Sequence, residues 1–151
     1  IPVCADLKEL WEDAPRGMLD LVTCNPPYKV VGAGFESAID AQRIARHEIM
    51  CTIDDVCVAA EKLLKFGGRL CVCNRPERLS DVIFAMKSNN IEPKRIRFVS
   101  KNPDEAPWLF LIEGKKGSKP FMKVEPQLYI RSGEGFSEEL QKIYDTGKES
   151  L

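Results

Sequence analysis

Short apolar runs and stretches of helical periodicity follow one another along this chain. Met18–Cys24 is nearly continuous in apolar residues, which is typical of a strand buried on both faces, and the shorter run Ile1–Ala5 predicts a strand before it. From Thr52, a good N-cap, apolar residues recur at helical spacing as far as Leu64. Gly67-Gly68 then predicts the end of this helix.

The same alternation continues after this helix. Two of the later strands are separated only by a short, turn-rich loop, so they should pair as a hairpin. The other expected elements are bounded by prolines and glycines. The predicted elements are a strand at Arg69–Asn74, a helix from Arg75 to about Asn90, hairpin strands at Lys94–Ser100 and Trp108–Glu113, a short strand at Gln127–Arg131, one helical turn at Leu7–Trp11 and a loop at Lys29–Ile44.

The order of these elements predicts an α/β fold. Alternating strands and helices favour a parallel sheet with right-handed crossovers, to which the C-terminal hairpin adds an antiparallel strand. A chain of 151 residues is long enough for one domain with a sizeable core. Sheets of this kind bind their ligands beyond the carboxyl ends of the strands, where Asp6 and Asn25 are expected.

Composition and charge narrow the class of protein. The chain is 44% hydrophobic and 30% charged, which excludes a disordered chain. Its net charge of −1 argues against a protein that coats nucleic acid through bulk charge. The charge is uneven, with eight basic and three acidic residues between Lys94 and Lys123. Arg95 and Arg97 share one face of a predicted strand, where they could contact RNA or protect a solvated edge strand.

The cysteines and the single histidine favour no metal site. The six cysteines form no C-x-x-C pair, and His47 is not spaced with any of them like a zinc ligand. Cys71 and Cys73 share one face of a predicted strand, so free thiols in a reducing cytosol are the simplest interpretation. Because the sequence has no run of about 18 apolar residues and no signal-peptide pattern at Ile1, we expect a cytoplasmic protein without membrane attachment.

Asn25-Pro26-Pro27-Tyr28 is the segment with the clearest chemistry. Neither proline has an N–H group, so the backbone here cannot continue the ladder of the preceding strand. The Pro26 carbonyl and the Asn25 side-chain oxygen can accept from the two N–H groups of a planar amine, while Tyr28 offers a stacking surface. Holding both hydrogens would direct the nitrogen lone pair at an electrophile. An ordinary turn after a strand is the alternative interpretation.

The tetrapeptide resembles the signature of S-adenosylmethionine-dependent amino-methyltransferases. In that family the asparagine and the first proline carbonyl bind the target amine, and the aromatic residue stacks on the base. Four further segments resemble the Gram-positive branch of the tRNA adenine-N6 methyltransferases, which modify the adenine just 3′ of the anticodon in a valine tRNA. The resemblance runs from about Ile1 to Ile130. These segments are Ala45–Glu48, Leu63–Gly68, Asn74–Leu79 and Glu92–Val99.

The resemblance implies a fold, a cofactor, a partner and a set of site residues. The fold would be the Rossmann-like class I methyltransferase domain in residues 1–131, followed by a polar tail in residues 132–151. The cofactor would be S-adenosylmethionine, without a metal, and the partner a tRNA. The implied residues are Asn25, Pro26, Pro27 and Tyr28 for catalysis, Asp6 and Leu7 for the cofactor, and Arg46, His47, Arg75, Arg95 and Arg97 for the substrate.

One departure from the family is large. The glycine-rich loop that follows the family's first strand is absent, and Gly32-Ala33-Gly34 comes after the tetrapeptide rather than before it. Ile1–Ala5 would then be the third strand of the complete fold. We therefore expect an N-terminally truncated, carboxyl-terminal part of a methyltransferase that is inactive alone. Its open sheet edge would be free to pair with another chain, as in a homodimer.

Other functions are compatible with the same residues. Protein glutamine and DNA adenine N-methyltransferases use the same tetrapeptide, and they would not need the basic residues of the hairpin. A non-catalytic fragment or an RNA-binding module would account for the missing glycine-rich loop. Asn74 stands where relatives commonly have histidine, which leaves a role for this side chain open.

Overall fold

The structure, a computed structural model, describes residues 4–9, 16–26 and 51–148. The predicted loop at Lys29–Ile44 and the first three residues of the predicted strand Ile1–Ala5 lie outside these ranges. The last two residues of that strand lie within them and form no strand, so this part of the prediction is wrong. Leu7–Glu9 form a turn at the start of the predicted helical turn.

The described chain forms a mixed sheet of six strands with helices between them. Two further strands form a small separate hairpin near the C-terminus. A short 3₁₀ turn at Pro76–Arg78 precedes the second helix. The elements are β1 (Leu19–Cys24), α1 (Ile53–Leu63), β2 (Leu64–Asn74), α2 (Leu79–Ser88), β3 (Ile91–Ser100), β4 (Leu109–Lys116), β5 (Lys123–Val124), β6 (Leu128–Tyr129), β7 (Arg131–Ser132), β8 (Gly135–Phe136) and α3 (Glu138–Lys148).

The strand order confirms an α/β sheet that carries an antiparallel hairpin. The order is β1-β2-β4-β3-β5, and β6 also pairs with β3. β1 and β2 are parallel, whereas β4 is antiparallel to both of its neighbours, β2 and β3. The hairpin therefore inserts its second strand between β2 and β3 instead of adding it at the edge. The local pattern predicts the hairpin but does not specify this insertion.

Helix α1 begins where the sequence predicts and ends earlier. Thr52 and Asp55 form a capping box, in which the Asp55 N–H donates to Thr52 Oγ1 at 3.2 Å and the Thr52 N–H to Asp55 Oδ2 at 2.7 Å. The expected end at Gly67-Gly68 is wrong, because Leu64 is already extended and starts β2. A Cβ on Gly68 would lie 2.9 Å from the Leu19 carbonyl oxygen. The glycines thus permit the close approach of β1 to β2, where the strand register shifts.

Other boundaries also move when strands pair. β3 begins at Ile91, three residues before the predicted start, because Pro93 is accommodated at an irregularity in the pairing of β3 with β4. β4 extends to Lys116, beyond its predicted end at Glu113, because β2 and β3 continue to pair with it there. In residues 132–148, which the sequence analysis treats as a polar tail, β8 and helix α3 are present.

Helices α1 and α2 cover one face of the sheet. The buried cluster between them is built from alternate strand positions, so the intervening positions turn to the opposite face. That opposite face carries both polar and apolar side chains, and Leu21 and Leu111 on it are 51% and 39% exposed. The core includes Leu70, Val72, Ile96, Phe110 and Ile112 from the sheet and Val56, Ala60, Val82 and Met86 from the helices.

Candidate functional site

The face of the sheet opposite the helices carries an open groove of about 490 Å³. It forms because successive strand residues point to opposite sides, so one set of alternate positions on four neighbouring strands meets on this face. The register places Thr23 beside Cys71, Cys71 beside Glu113, and Glu113 beside Arg95. Among its lining residues are Thr23, Asn25, Cys71, Cys73, Leu111, Glu113, Arg95 and Arg97.

Asn25 lies at the carboxyl end of β1, on the rim of this groove. The parallel register of β1 with β2 brings it level with Cys73, whose thiol donates to Asn25 Oδ1 at 3.0 Å. Pro26 follows directly and is buried. Because proline has no N–H group, the ladder with β2 stops at this point. The side-chain oxygen of Asn25 is thus held as an acceptor at the carboxyl edge of the sheet.

Several predicted site residues fall outside the described ranges. Pro27 and Tyr28 complete the tetrapeptide, and Arg46 and His47 belong to a segment that resembles the methyltransferase family. Their proposed roles stay predictions. The described half of the tetrapeptide, Asn25 and Pro26, is placed at a strand end as the sequence pattern requires.

Arg95 and Arg97 share the groove face, as predicted, and both are engaged within the protein. Arg95 donates through Nε and Nη2 to the carboxylate of Glu113, at 3.2 and 2.8 Å. This hydrogen bonding holds the pKa of Glu113 below its usual range. Arg97 donates to the Pro126 carbonyl at 2.8 Å and to Glu139 of α3 at 2.5 Å. Arg95 therefore links β3 to β4 within the sheet, Arg97 links β3 to α3, and substrate contact by either one stays a prediction.

Asp6 and Leu7 belong to a turn near the first residues of α1. The Lys8 N–H donates to Asp6 Oδ1 at 2.9 Å, and the ammonium of Lys8 lies 3.8 Å from Asp55 in the first turn of α1. Leu7 packs against the hydrophobic core. The exposed carboxylate of Asp6 is thus held close to the start of α1.

The thiols show that this turn also lies near the end of β1. The pKa of Cys51 is raised by burial and then by Asp55, and Asp6 is close enough to add to the effect. Burial likewise raises the pKa of Cys24, the last residue of β1, with Cys51 and Cys73 contributing. The Asp6 carboxylate is thus near enough to act on the Cys51 thiol, and the Cys51 and Cys73 thiols are near enough to act on that of Cys24. Within the described ranges, no group of three or more His, Cys, Asp or Glu side chains is placed to hold a metal ion.

Arg75 lies directly after β2, at the same edge of the sheet. Its N–H donates to Oδ1 of Asn74 at 2.8 Å, and the Asn74 side chain is buried. The Arg75 guanidinium carbon lies 5.6 Å from the centre of the Trp108 ring, within the range of a cation–π contact. Trp108 precedes β4, and its N–H donates to the Val99 carbonyl at 3.1 Å. Both members of this pair are therefore anchored through their backbones.

Three contacts at this site depend on strand pairing, which the sequence alone does not reveal. The pattern places Cys73 on the correct strand face, but its contact with Asn25 requires the register between β1 and β2. Glu113 becomes the partner of Arg95 only once β4 pairs with β3. The contact between Trp108 and Arg75 requires β4 to lie beside β2. A local pattern carries no signal for any of these pairings.

Comparison with known proteins shows the fold. No family model matches the chain, and no curated protein matches it. A predicted O-methyltransferase from Agrobacterium tumefaciens has a similar structure, with a TM-score of 0.72 over 93% of this chain and 18% sequence identity. A protein of Thermus thermophilus, assigned as a DNA modification methylase and complexed with S-adenosyl-L-methionine, aligns over 78% of this chain with a TM-score of 0.51 and 18% identity.

The similarity confirms the class I methyltransferase fold that the sequence analysis predicts. The chain spans 60% of the length of the Agrobacterium protein and 56% of the Thermus protein. At 18% identity, these structures support the arrangement of the sheet and helices, not a particular reaction.

Proposed function

We propose that the protein transfers the methyl group of S-adenosylmethionine to an exocyclic amine, and that this amine is N6 of an adenine next to the anticodon of a tRNA. The observation that carries the proposal is the position of Asn25. Its amide oxygen is held at the carboxyl edge of a sheet with the methyltransferase fold, on the rim of an open groove. Ligands of doubly wound sheets bind at this edge.

The acceptors at this position suit a planar amine. The Asn25 side-chain oxygen and the Pro26 carbonyl can each take one of its two N–H groups. An exocyclic amine conjugated with a ring is a weak nucleophile, so orienting its lone pair lowers the barrier. S-adenosylmethionine supplies the electrophilic methyl group when bound. With the cofactor bound, Asn25 and Pro26 would hold the amine so that its lone pair faces the methyl group. The nitrogen would then bond to the methyl carbon as the carbon–sulfur bond breaks with its electron pair left on sulfur, and the proton that the amine gives up would pass to water.

Cys73 gives the amide of Asn25 a defined orientation before the substrate arrives. Its thiol donates to the same oxygen that would accept from the amine, at 3.0 Å. A carbonyl oxygen has two lone pairs, so both donors can be accommodated. The thiol is therefore a positioning group for Asn25 in this proposal.

The described residues fit one end of the cofactor. The carboxylate of Asp6 is exposed and held by the N–H of Lys8, whose ammonium lies beside the first turn of α1. An acceptor fixed in this way suits the amino group of an adenosine, and the adjacent Leu7 can cover one face of its base. The described ranges include no glycine-rich loop after a strand that would hold the methionine end.

The identity of the methyl acceptor is a separate part of the proposal, and two other classes of acceptor are alternatives to tRNA. The resemblance of the chain to tRNA adenine-N6 methyltransferases and the exposed guanidinium of Arg75 at the carboxyl edge favour a tRNA. The amine of a DNA adenine or of a protein glutamine would fit the same two acceptors. The assay therefore has to offer all three, namely unmodified valine tRNA, an adenine-containing DNA and a glutamine peptide.

The test is methyl transfer by the complete protein to these acceptors, followed by nucleoside analysis for N6-methyladenine. We expect transfer to the tRNA, and a loss of about 100-fold or more in rate for Asn25→Ala, because one of the two orienting acceptors is gone. Cofactor affinity should change little. Asn89→Ala is the matched control, since Asn89 caps the far end of α2 through the Ala85 carbonyl. Wild-type activity in Asn25→Ala would mean that the tetrapeptide is only a turn.

A further inference from the structure

Three exposed cations lie on the carboxyl edge of the sheet without an acidic partner among the described residues. Arg75, Lys101 and Arg131 follow or flank the strand ends at this edge, and each is exposed. Within the described ranges none of them forms an ion pair, whereas Arg95 and Arg97 in the groove are paired with Glu113 and Glu139. The charge that remains available to an external anion is therefore at the edge, not in the groove.

An aromatic ring accompanies these cations. Trp108 is 40% exposed, and the Arg75 guanidinium lies over its ring at 5.6 Å. Lys101 follows β3 on one side of this pair, and the Arg131 N–H donates to the Lys101 carbonyl at 2.9 Å. Of the two acidic residues in the intervening loop, Glu105 accepts from the side chain of Asn102. Flat rings interleaved with unpaired cations are the typical surface for unpaired nucleic-acid bases.

The pair is also rigid and close to the candidate active site. The buried Asn74 side chain holds the backbone of Arg75, and the Val99 carbonyl holds that of Trp108. β4 is two strands from β1, and strands lie about 4.8 Å apart, so Trp108 is roughly 10 Å across the sheet from the strand that Asn25 follows. That separation corresponds to about three stacked base steps of 3.4 Å.

We propose that Arg75 and Trp108 form a stacking platform for an unpaired base that neighbours the target nucleotide, with Lys101 and Arg131 neutralising the adjoining phosphates. The inference rests on the proposed function, and it adds a specificity-determining contact outside the tetrapeptide. It makes single-stranded RNA loops the preferred ligand, because paired bases in a duplex cannot expose their faces to an aromatic ring.

The experiment measures binding and methylation by the complete protein with an unmodified anticodon stem-loop and with a fully paired RNA of equal length. Trp108→Ala should weaken binding of the stem-loop by about 10-fold to 100-fold, since it removes the stacking surface. Trp108→Phe, which keeps a ring, should stay within about threefold of the wild type. In the methylation assay, Trp108→Ala should raise KM and leave kcat unchanged. Its effect on the paired RNA should be smaller. Phe84→Ala, which removes an exposed ring from α2, is the control.

Two further readouts separate a platform from a merely structural pair. Stacking of a base on Trp108 should quench its fluorescence, and this quenching should be missing in Trp108→Phe, which retains only Trp11. Charge removal in Lys101→Gln should lower the dependence of RNA affinity on salt. Equal affinity of wild type and Trp108→Ala for the stem-loop would overturn the proposal. An equal loss of affinity in Trp108→Ala and Trp108→Phe, accompanied by a lower thermal unfolding midpoint in both variants, would also overturn the proposal.

The outcome is distinguishable from a failure of the proposed function. If wild-type protein methylates the tRNA and Asn25→Ala does not, while Trp108→Ala keeps its KM, the platform is wrong and the proposed function stands. If no RNA is methylated but an unpaired RNA oligonucleotide still binds and quenches Trp108, the platform is supported and the proposed acceptor is wrong.

Discussion

Glu113 connects the strands in the floor of the groove, and its replacement tests this description of the site. Its carboxylate accepts two hydrogen bonds from Arg95, at 3.2 and 2.8 Å, and lies 3.7 Å from Nη1 of Arg69. The side chain of Glu113 is 15% exposed. We predict that Glu113→Gln lowers the free energy of unfolding at pH 7 by about 1 kcal/mol.

The magnitude follows from how much solvent reaches the pair. The side chains of Arg95 and Arg69 are 54% and 57% exposed, so water screens much of their attraction for the carboxylate. Exposed ion pairs contribute about 0.2–1 kcal/mol, whereas hydrogen bonds to charged groups contribute about 1.5–3 kcal/mol. A paired carboxylate that is largely buried beside exposed guanidiniums belongs at the boundary of these ranges. Glutamine keeps one oxygen acceptor, so the loss is only partial.

The effect should depend on pH in a definite direction. Hydrogen bonding to Arg95 lowers the pKa of Glu113 in the folded protein, so the unfolded chain binds a proton more readily than the folded one. The stabilisation is therefore fully present above the usual glutamate pKa of about 4.3. It is lost as the pH falls through the lowered folded value. The difference between wild type and Glu113→Gln should then shrink at acid pH.

Urea unfolding at a series of pH values from 7 down to the acid limit of the fold measures this difference. Glu92→Gln is the matched control, because Glu92 is 18% exposed and pairs with the half-exposed ammonium of Lys87 at 3.3 Å. It should cost less than about 0.5 kcal/mol. Two results would refute the reasoning: equal stability of Glu113→Gln and wild type at pH 7, or a difference that stays constant as the pH is lowered.

Two further predictions concern the packed side of the sheet. Gly114→Ala should destabilise the protein by about 1–3 kcal/mol in urea unfolding, because the new Cβ would lie 2.6 Å from Ile91 Cγ2; Gly135→Ala, with nothing within 4 Å, should have little effect. Burial raises the pKa of Cys57 to about 12, whereas Cys4 is exposed. Iodoacetamide should therefore modify Cys4 in the native protein and Cys57 only after unfolding. Peptide mass spectrometry would identify the modified cysteine. Faster modification of Cys57 than of Cys4 would contradict this.

The sequence predicts the individual helices and strands of this fold better than it predicts which of them lie side by side. Thr52 marks the start of α1 because capping is a local interaction between residues three apart. Gly67 and Gly68 misled the prediction because a glycine pair ends a helix as readily as it permits a bulged strand. Only the approach of Leu19, which lies far away in the sequence, decides between these outcomes. The insertion of β4 between β2 and β3 is a non-local choice of the same kind.

The candidate site divides in the same way. The position of Asn25 and Pro26 at the end of a strand is predicted from the sequence, because an apolar run followed by prolines marks where a strand stops; their catalytic role stays a prediction. The contact of Cys73 with Asn25 depends on the register between two strands. The Arg75–Trp108 contact depends on a third strand beside them. The residue types at a strand end can thus be recognised from the sequence alone, whereas the contacts of their side chains depend on how all the strands of the sheet pair.

One face of the sheet carries the apolar core, and the opposite face carries the candidate site. α1 and α2 cover one set of alternate positions, and those residues form the apolar core. The other set places Asn25, Cys73, Glu113 and the groove arginines on a face that the core does not need. Counting basic residues along the hairpin pointed to Arg95 and Arg97, yet a charge satisfied by Glu113 or Glu139 must give up that partner before it can bind a phosphate. Arg75 has no such cost among the described residues, so we expect an anionic substrate to bind at the carboxyl edge rather than in the groove.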